Sequence, residues 1–293
     1  MPKSLEGIFA PVCTPFDAKG KLLPEHLAEN VQKYARTGLR GYLVLGSNGE
    51  NKSLTNSEKE KVLKTVIENR CGDQTVMAGS IFESTSETID FALMAQEAGA
   101  DYITLLPPSY FKSAMKDPVL VKYFTDVASA LKIPCLLYKA SQFSGGVDLS
   151  AGLIKECAKH PNIAGIKDSS SSGIEKVIKA APPNFRVLSG SANTFFMAMM
   201  SGAVGGVLSI ANYLPDKAVE LYKYITAGDL QKAIKLDRLI VSGNMEISGT
   251  HGVAGVKCAM DSCAYRGGFP RLPLLPVPAE GINSIQESLK ALL

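Results

Sequence analysis

Histidine is scarce and scattered. The 293 residues hold three, His26, His160 and His251, so a histidine metal cluster or a Ser-His-Asp triad has little to be built from. His160, in AKHPN, falls at the end of a helix-like segment, where an imidazole interacts favourably with the helix dipole. The six cysteines (Cys13, Cys71, Cys135, Cys157, Cys258 and Cys263) form no CxxC pair. With no secretion signal beside them, they read as free thiols in a reducing cytosol. The start, MPKSLEGIFAPV, lacks the apolar core of a signal peptide. No run approaches the roughly 18 apolar residues of a membrane helix. Charge of one sign is also missing: 31 basic against 28 acidic residues leave +3, spread along the chain. Without a basic stripe, a phosphate-cradling P-loop or an RNA-binding signature, nucleic acid is excluded as a partner. No low-complexity segment or linker interrupts the chain.

Apolar residues are plentiful. At 46% hydrophobic and 20% charged, the composition suits a soluble protein with a large core. Short apolar runs alternate with helix-like segments eight times: GIFAPVCTPF, GYLVLG, TVMAGSI, YITLLPP, PCLLYKA, IAGIKDSS, FRVLSGSA and VGGVLSIAN each precede one. These runs are continuously apolar, as strands covered on both sides should be. Helix signals punctuate them. Asn56 or Ser57 caps NSEKEKVLKTVIEN, and STSETIDFALMAQEAG starts with Ser/Thr and stops at Gly. FFMAMM at 195–200 reads as helix core. Eight units in this length fit an α/β fold, a closed (β/α)8 TIM barrel. The rival, an open doubly wound sheet, lacks its GxGxxG after the first strand. Residues 1–228 then form the barrel, and 229–293 an appended helical extension with GGFPRLPLLPVP as a Pro-rich connection.

In such a barrel, polar residues at the carboxyl ends of the strands are the functional candidates. Lys167 is the most unusual of them, because it ends the apolar run Ile163–Ile166. Burial disfavours an ammonium, so a neutral, nucleophilic amine becomes available there. Taken alone, the same lysine is better explained by an ion pair with a nearby carboxylate such as its neighbour Asp168. Strand 2 ends in Gly46-Ser47-Asn48-Gly49-Glu50, strand 5 in Tyr138, strand 6 in Lys167-Asp168-Ser169, and strand 7 in Ser189-Gly190-Ser191. An amine, a phenol and several hydroxyl and amide donors on one rim suit a keto acid. The amine forms an imine, the donors hold the carboxylate and the phenol moves protons.

Taken together, GSNGE, LLYKA, GIKDSS and VLSGSA make the whole chain resemble the pyruvate-dependent class I lyases that include dihydrodipicolinate synthase and N-acetylneuraminate lyase. The resemblance implies a (β/α)8 barrel with a C-terminal helical extension, assembled as a homotetramer (a dimer of dimers), and an imine between pyruvate and Lys167. It gives Ser47 and Asn48, following Gly46, the pyruvyl carboxylate, and links Ser47 to a proton relay through Tyr138. Tyr110, in PPSYF, resembles the tyrosine that members lend across a dimer interface. Ile210 would offer a backbone carbonyl near the imine, and Ser189 and Gly190 belong to the strand 7 motif. No metal or cofactor is implied, since the imine is itself the electron sink.

One departure bears on the second substrate. Dihydrodipicolinate synthases carry an arginine after the tyrosine that grips the aldehyde's carboxylate, whereas YKASQFSGG has Phe143 near that place and no arginine. Losing a bidentate clamp disfavours aspartate semialdehyde. GSNGE, AGSIFEST and PPSYFK resemble instead 4-hydroxy-2-oxoglutarate aldolases and 2-keto-3-deoxy sugar acid aldolases, with Ser169 placed to hydrogen-bond the substrate's tail. The expected activity is cleavage of a 4-hydroxy-2-oxo acid to pyruvate and an aldehyde. The alternatives are condensation of pyruvate with aspartate semialdehyde and a non-catalytic keto-acid sensor, which has no use for a nucleophile. The sequence does not say where Lys139 points.

Overall fold

A computed structural model of the chain describes residues 2–293. Its centre is a closed, all-parallel barrel of eight strands in sequence order, β1 to β8. These are β1 (Gly7–Pro11), β2 (Gly41–Val44), β3 (Thr75–Ser80), β4 (Tyr102–Leu105), β5 (Cys135–Lys139), β6 (Ile163–Asp168), β7 (Arg186–Ser189) and β8 (Gly205–Val207). Pairing of β1 with β8, Phe9 opposite Val207, closes the ring. Each apolar run of the sequence supplies one strand, and the strands are buried on both faces because helices wrap the outside.

Side chains alternate across each strand, so two separate cores form. Phe9, Leu43, Met77, Leu136, Leu188 and Val207 fill the barrel's interior. Their neighbours Ile8, Ala10, Val44, Leu137, Ile166 and Val187 face the helices. That parity decides the site, because it fixes which strand-end residues point into the mouth of the barrel.

The surrounding helices are α1 (Pro24–Tyr34), α2 (Asn56–Asn69), α3 (Thr85–Ala98), α4 (Asp117–Ser129), α5 (Ala151–Cys157), α6 (Ile174–Ala180), α7 (Ala192–Met200) and α8 (Pro215–Thr226). The cap of α2 is Thr55, one residue before the expected Asn56 and two before Ser57, because a reciprocal Thr55–Glu58 capping box forms there. Helix α3 starts on Ser84 and stops at Gly99 in the left-handed region, as its sequence suggests. FFMAMM is only half core. Phe195 and Ala198 are fully buried, while Met197 and Met200 are 65% and 50% exposed on the outward stripe of α7.

Three further helices follow, α9 (Leu230–Asn244), α10 (His251–Ser262) and α11 (Ala279–Leu292). Helix α9 lies against α7, α8 and α11, and α11 also against α10. A six-residue π-turn, Met245–Thr250, joins α9 to α10, and Gly252 breaks the helical backbone just after it. The connection between α10 and α11 is pinned to the barrel by Arg271, which donates to both carboxylate oxygens of Glu58 at 2.7 and 2.8 Å and lies over the Phe16 ring.

Those charge-assisted hydrogen bonds hold the Glu58 carboxyl well below its usual range, at about 2. A carboxyl more acidic in the folded than in the unfolded chain contributes stability above its unfolded value, and that stability is lost as pH falls toward 2. Arg271→Met should therefore lower the unfolding midpoint at neutral pH while flattening its decline below about pH 4.5. Unfolding curves in urea from pH 7 to 3 check this. Parallel wild-type and variant curves would contradict it.

Candidate active site

Strand parity brings Lys167 and Tyr138 together. Tyr138 shares the inward parity of Leu136, and Lys167 sits directly opposite Tyr138 in the β5–β6 register. Both are buried, at 5% and 2% exposure, and the Lys167 Nζ stands 4.3 Å from the centre of the Tyr138 ring. Asp168, the next residue, points the other way, toward the helices, and its Oδ1 accepts the Ser170 N–H at 2.8 Å. Lys167 makes no ion pair among the described residues, so the bland account of this lysine fails.

The same alternation answers the question of Lys139. One residue past Tyr138, it faces outward and is tied to Asp148 and to the Ser170 hydroxyl. It lies apart from the pocket and cannot stand in for a missing arginine.

Above the lysine the barrel opens into a pocket of about 160 Å³. Ser47, Asn48, Tyr138, Phe143, Lys167, Ser169 and Gly190 all line it. The Ser47 and Tyr138 hydroxyls are 3.4 Å apart, and the Asn48 amide donates to Ser209 Oγ at 3.0 Å. The loop that presents Ser47 and Asn48 is bracketed by two non-glycine residues in the left-handed region, Leu45 and Glu50, with φ of 61° and 52°. Such backbone costs of order 1–3 kcal/mol per residue and persists where the surroundings dictate it. Gly190 makes room for the lysine: a Cβ there would meet Ser169 Oγ at 1.9 Å and Lys167 Cε at 3.0 Å.

Not every expected residue reaches the pocket. Ser189 is outward by parity, and its hydroxyl donates to the Ser191 carbonyl at 3.0 Å. The Ile210 carbonyl accepts from Tyr213 N and Leu214 N at the entrance to α8, and Val207 and Ser209, not Ile210, line the pocket. Gly46 stands at the base of the loop, 3.1 Å by its missing Cβ from Leu43. Tyr110 lies elsewhere in the single chain, 80% exposed beside Phe111 and Lys112.

Conversely, Gln142, Asn244 and Ser248 contribute to the pocket wall. Asn244 ends α9 and donates to Asn193 Oδ1 at 2.9 Å, and Ser248 is on the π-turn. Their signal in the sequence is slight. The small polar residues of VSGNMEISG interrupt the apolar period of α9, but only the fold brings Asn244, at the end of that helix, and Ser248, on the π-turn, to the barrel mouth.

The chain matches the model of the Dihydrodipicolinate synthetase family over residues 4–292. It belongs to that family. It is 31% identical to a 4-hydroxy-tetrahydrodipicolinate synthase of Methanothrix thermoacetophila, over 97% of this chain and 95% of the other. It is 29% identical to a probable mitochondrial 4-hydroxy-2-oxoglutarate aldolase of Emericella nidulans (96% and 93% covered). With an L-threo-3-deoxy-hexylosonate aldolase of Aspergillus niger it shares 28% (97% and 94%). A prophage protein of this family from E. coli K12, solved in complex with pyruvate, superposes with a TM-score of 0.92 at 28% identity over 98% of each chain. As in these relatives, the fold is a (β/α)8 barrel with C-terminal helices, and the chain is a class I enzyme of the aldolase/lyase type. Among the described residues no helix is long and apolar enough to cross a membrane.

Proposed function

We propose that the enzyme cleaves a 4-hydroxy-2-oxo acid, either 4-hydroxy-2-oxoglutarate or a 2-keto-3-deoxy sugar acid, to pyruvate and an aldehyde. The observation that carries this reading is the buried pair of Lys167 and Tyr138, side by side at the barrel mouth in a pocket lined by no other cation. Lys167 Nζ attacks C2, the carbonyl oxygen leaves as water, and a protonated imine forms. Ser47 and Asn48 hold the carboxylate at C1. Tyr138 takes the proton of the C4 hydroxyl as the C3–C4 bond breaks, and the bonding pair flows into the imine to give an enamine. The aldehyde departs, C3 is protonated, and water hydrolyses the imine to release pyruvate.

A second carboxylate would want a guanidinium or ammonium, and the tail end of the pocket offers Gln142, Phe143, Ser169, Asn244 and Ser248. The hydroxylated tail of a 2-keto-3-deoxy sugar acid therefore suits it better than the carboxylated tail of 4-hydroxy-2-oxoglutarate or of aspartate semialdehyde. In this reading residues 1–228 supply the chemistry and 229–293 support it. The working form is a cytoplasmic homotetramer in which Tyr110, exposed with Phe111, is lent to a neighbour's pocket.

A lactate dehydrogenase-coupled assay over a panel of keto acids, run beside a dipicolinate assay, tests the choice of substrate. Pyruvate release from a 2-keto-3-deoxy sugar acid or from 4-hydroxy-2-oxoglutarate should exceed condensation with aspartate semialdehyde by about tenfold or more in kcat/KM. The 31% identical relative is named a synthase. If the semialdehyde is the better substrate, the synthase reading is the right one.

A further inference from the structure

Glu50 closes the GSNGE loop, yet its side chain turns away from the pocket. Its N–H donates to the Ser47 carbonyl at 3.1 Å, and the preceding Gly49 donates to Gly46 O at 3.1 Å, so the five residues from Gly46 to Glu50 form one tight turn. Thr14 clamps that turn from β1's side by donating to Gly49 O at 2.7 Å. The Glu50 carboxylate runs down into the molecule and meets Lys257 of α10 at 2.5 Å. Both side chains are 1% exposed. Lys257 also donates to Phe269 O at 2.7 Å and stands 4.6 Å from the centre of the Phe16 ring. The other Glu50 oxygen accepts the Arg271 N–H at 2.8 Å. Cys13, also buried, is pushed up to about 12 by desolvation and stays a neutral thiol, so it does not compete as an anion.

A buried ion pair is weak grounds for stability, because desolvating two charges offsets much of their attraction. Its use here is geometric. A left-handed Glu50 needs an external hold, and two groups from the region beyond the barrel, the Lys257 ammonium and the Arg271 amide, supply it.

We propose that the Glu50–Lys257 ion pair is a positioning device, by which the C-terminal helices fix the turn that presents Ser47 and Asn48 to the substrate's carboxylate. The inference rests on the reading that this turn binds the carboxylate. Lys257→Met should raise the KM for keto acid, and the pyruvate concentration needed for half-maximal borohydride trapping, by about tenfold while kcat changes little, the pattern of lost uniform binding. Lys257→Met leaves a buried carboxylate without its cation, so its fold is at risk. Glu50→Gln/Lys257→Met removes both charges at similar volume and should keep the raised KM while recovering thermal stability. Glu50→Asp keeps both charges and shortens only the reach, so it decides the matter if the others do not fold, and it should also raise KM.

Folded variants that bind pyruvate like wild type would overturn the proposal and leave the pair a stabilising contact only. Ser47→Ala/Asn48→Ala is the control. If it raises KM and the Glu50 and Lys257 variants do not, the positioning role alone falls. If it also leaves KM unchanged, the turn does not bind the carboxylate and the reading beneath the proposal fails with it.

Discussion

Lys167→Ala should abolish the borohydride-stable adduct with pyruvate and lower retro-aldol activity by roughly 10⁴–10⁶-fold, the scale of loss when a covalent nucleophile is removed. The pocket offers no substitute. No other cation lines it, and Lys139, one residue past Tyr138 on the neighbouring strand, is turned outward onto Asp148. Intact-mass measurement after reduction should show wild type carrying one pyruvate-derived group, mapped by peptide analysis to Lys167, and the variant carrying none. The substitution removes a buried amine that makes no ion pair among the described residues, so the fold should survive it. That separates lost chemistry from lost structure. Adduct at any other lysine, or trapping undiminished in the variant, would remove Lys167 from the mechanism.

The barrel is legible in the sequence because its rules are local. Eight continuous apolar runs, each followed by a helix-like stretch, leave few alternatives to a parallel sheet covered on both faces. The site is legible in part for the same reason. Strand-end positions can be counted, and once one inward residue is known the alternation sorts Tyr138 and Lys167 from Lys139, Asp168 and Ser189.

What escapes the sequence is whatever depends on irregular backbone. Ile210 lies only three residues past the end of β8, in a short 3₁₀ turn, and its carbonyl accepts the Tyr213 and Leu214 N–H groups just before α8. Asn244 reaches the pocket from the last position of α9, and Ser248 through a π-turn that no periodicity announces. Tyr110 is on a loop held by Glu83, and in the reading proposed above the pocket it serves belongs to another chain. Lys257 looks like an ordinary helix residue until the fold places Glu50 beside it, 207 positions away in sequence yet 2.5 Å away in space.

Tyr138→Phe should separate the two halves of the reaction. The phenylalanine ring still packs beneath Ile81, Leu106 and Ala140, the small cluster that holds Tyr138 upright, so Lys167 keeps its neighbour and imine formation should persist. Only the hydroxyl goes. Its partner is Ser47 Oγ at 3.4 Å, long for an O–H···O bond. Removing it therefore costs little stability, and the thermal midpoint should stay close to wild type. The catalytic loss is another matter. With no group placed to take the C4 hydroxyl proton, cleavage should slow by about 10²–10⁴-fold, the usual worth of a positioned acid or base. The loss should fall on kcat, with the pyruvate dependence of borohydride trapping unchanged. Measuring both on one preparation makes the outcome unambiguous. Slow cleavage with normal trapping assigns the proton transfer to Tyr138, slow cleavage with slow trapping moves its role to imine formation, and wild-type cleavage removes it from the chemistry.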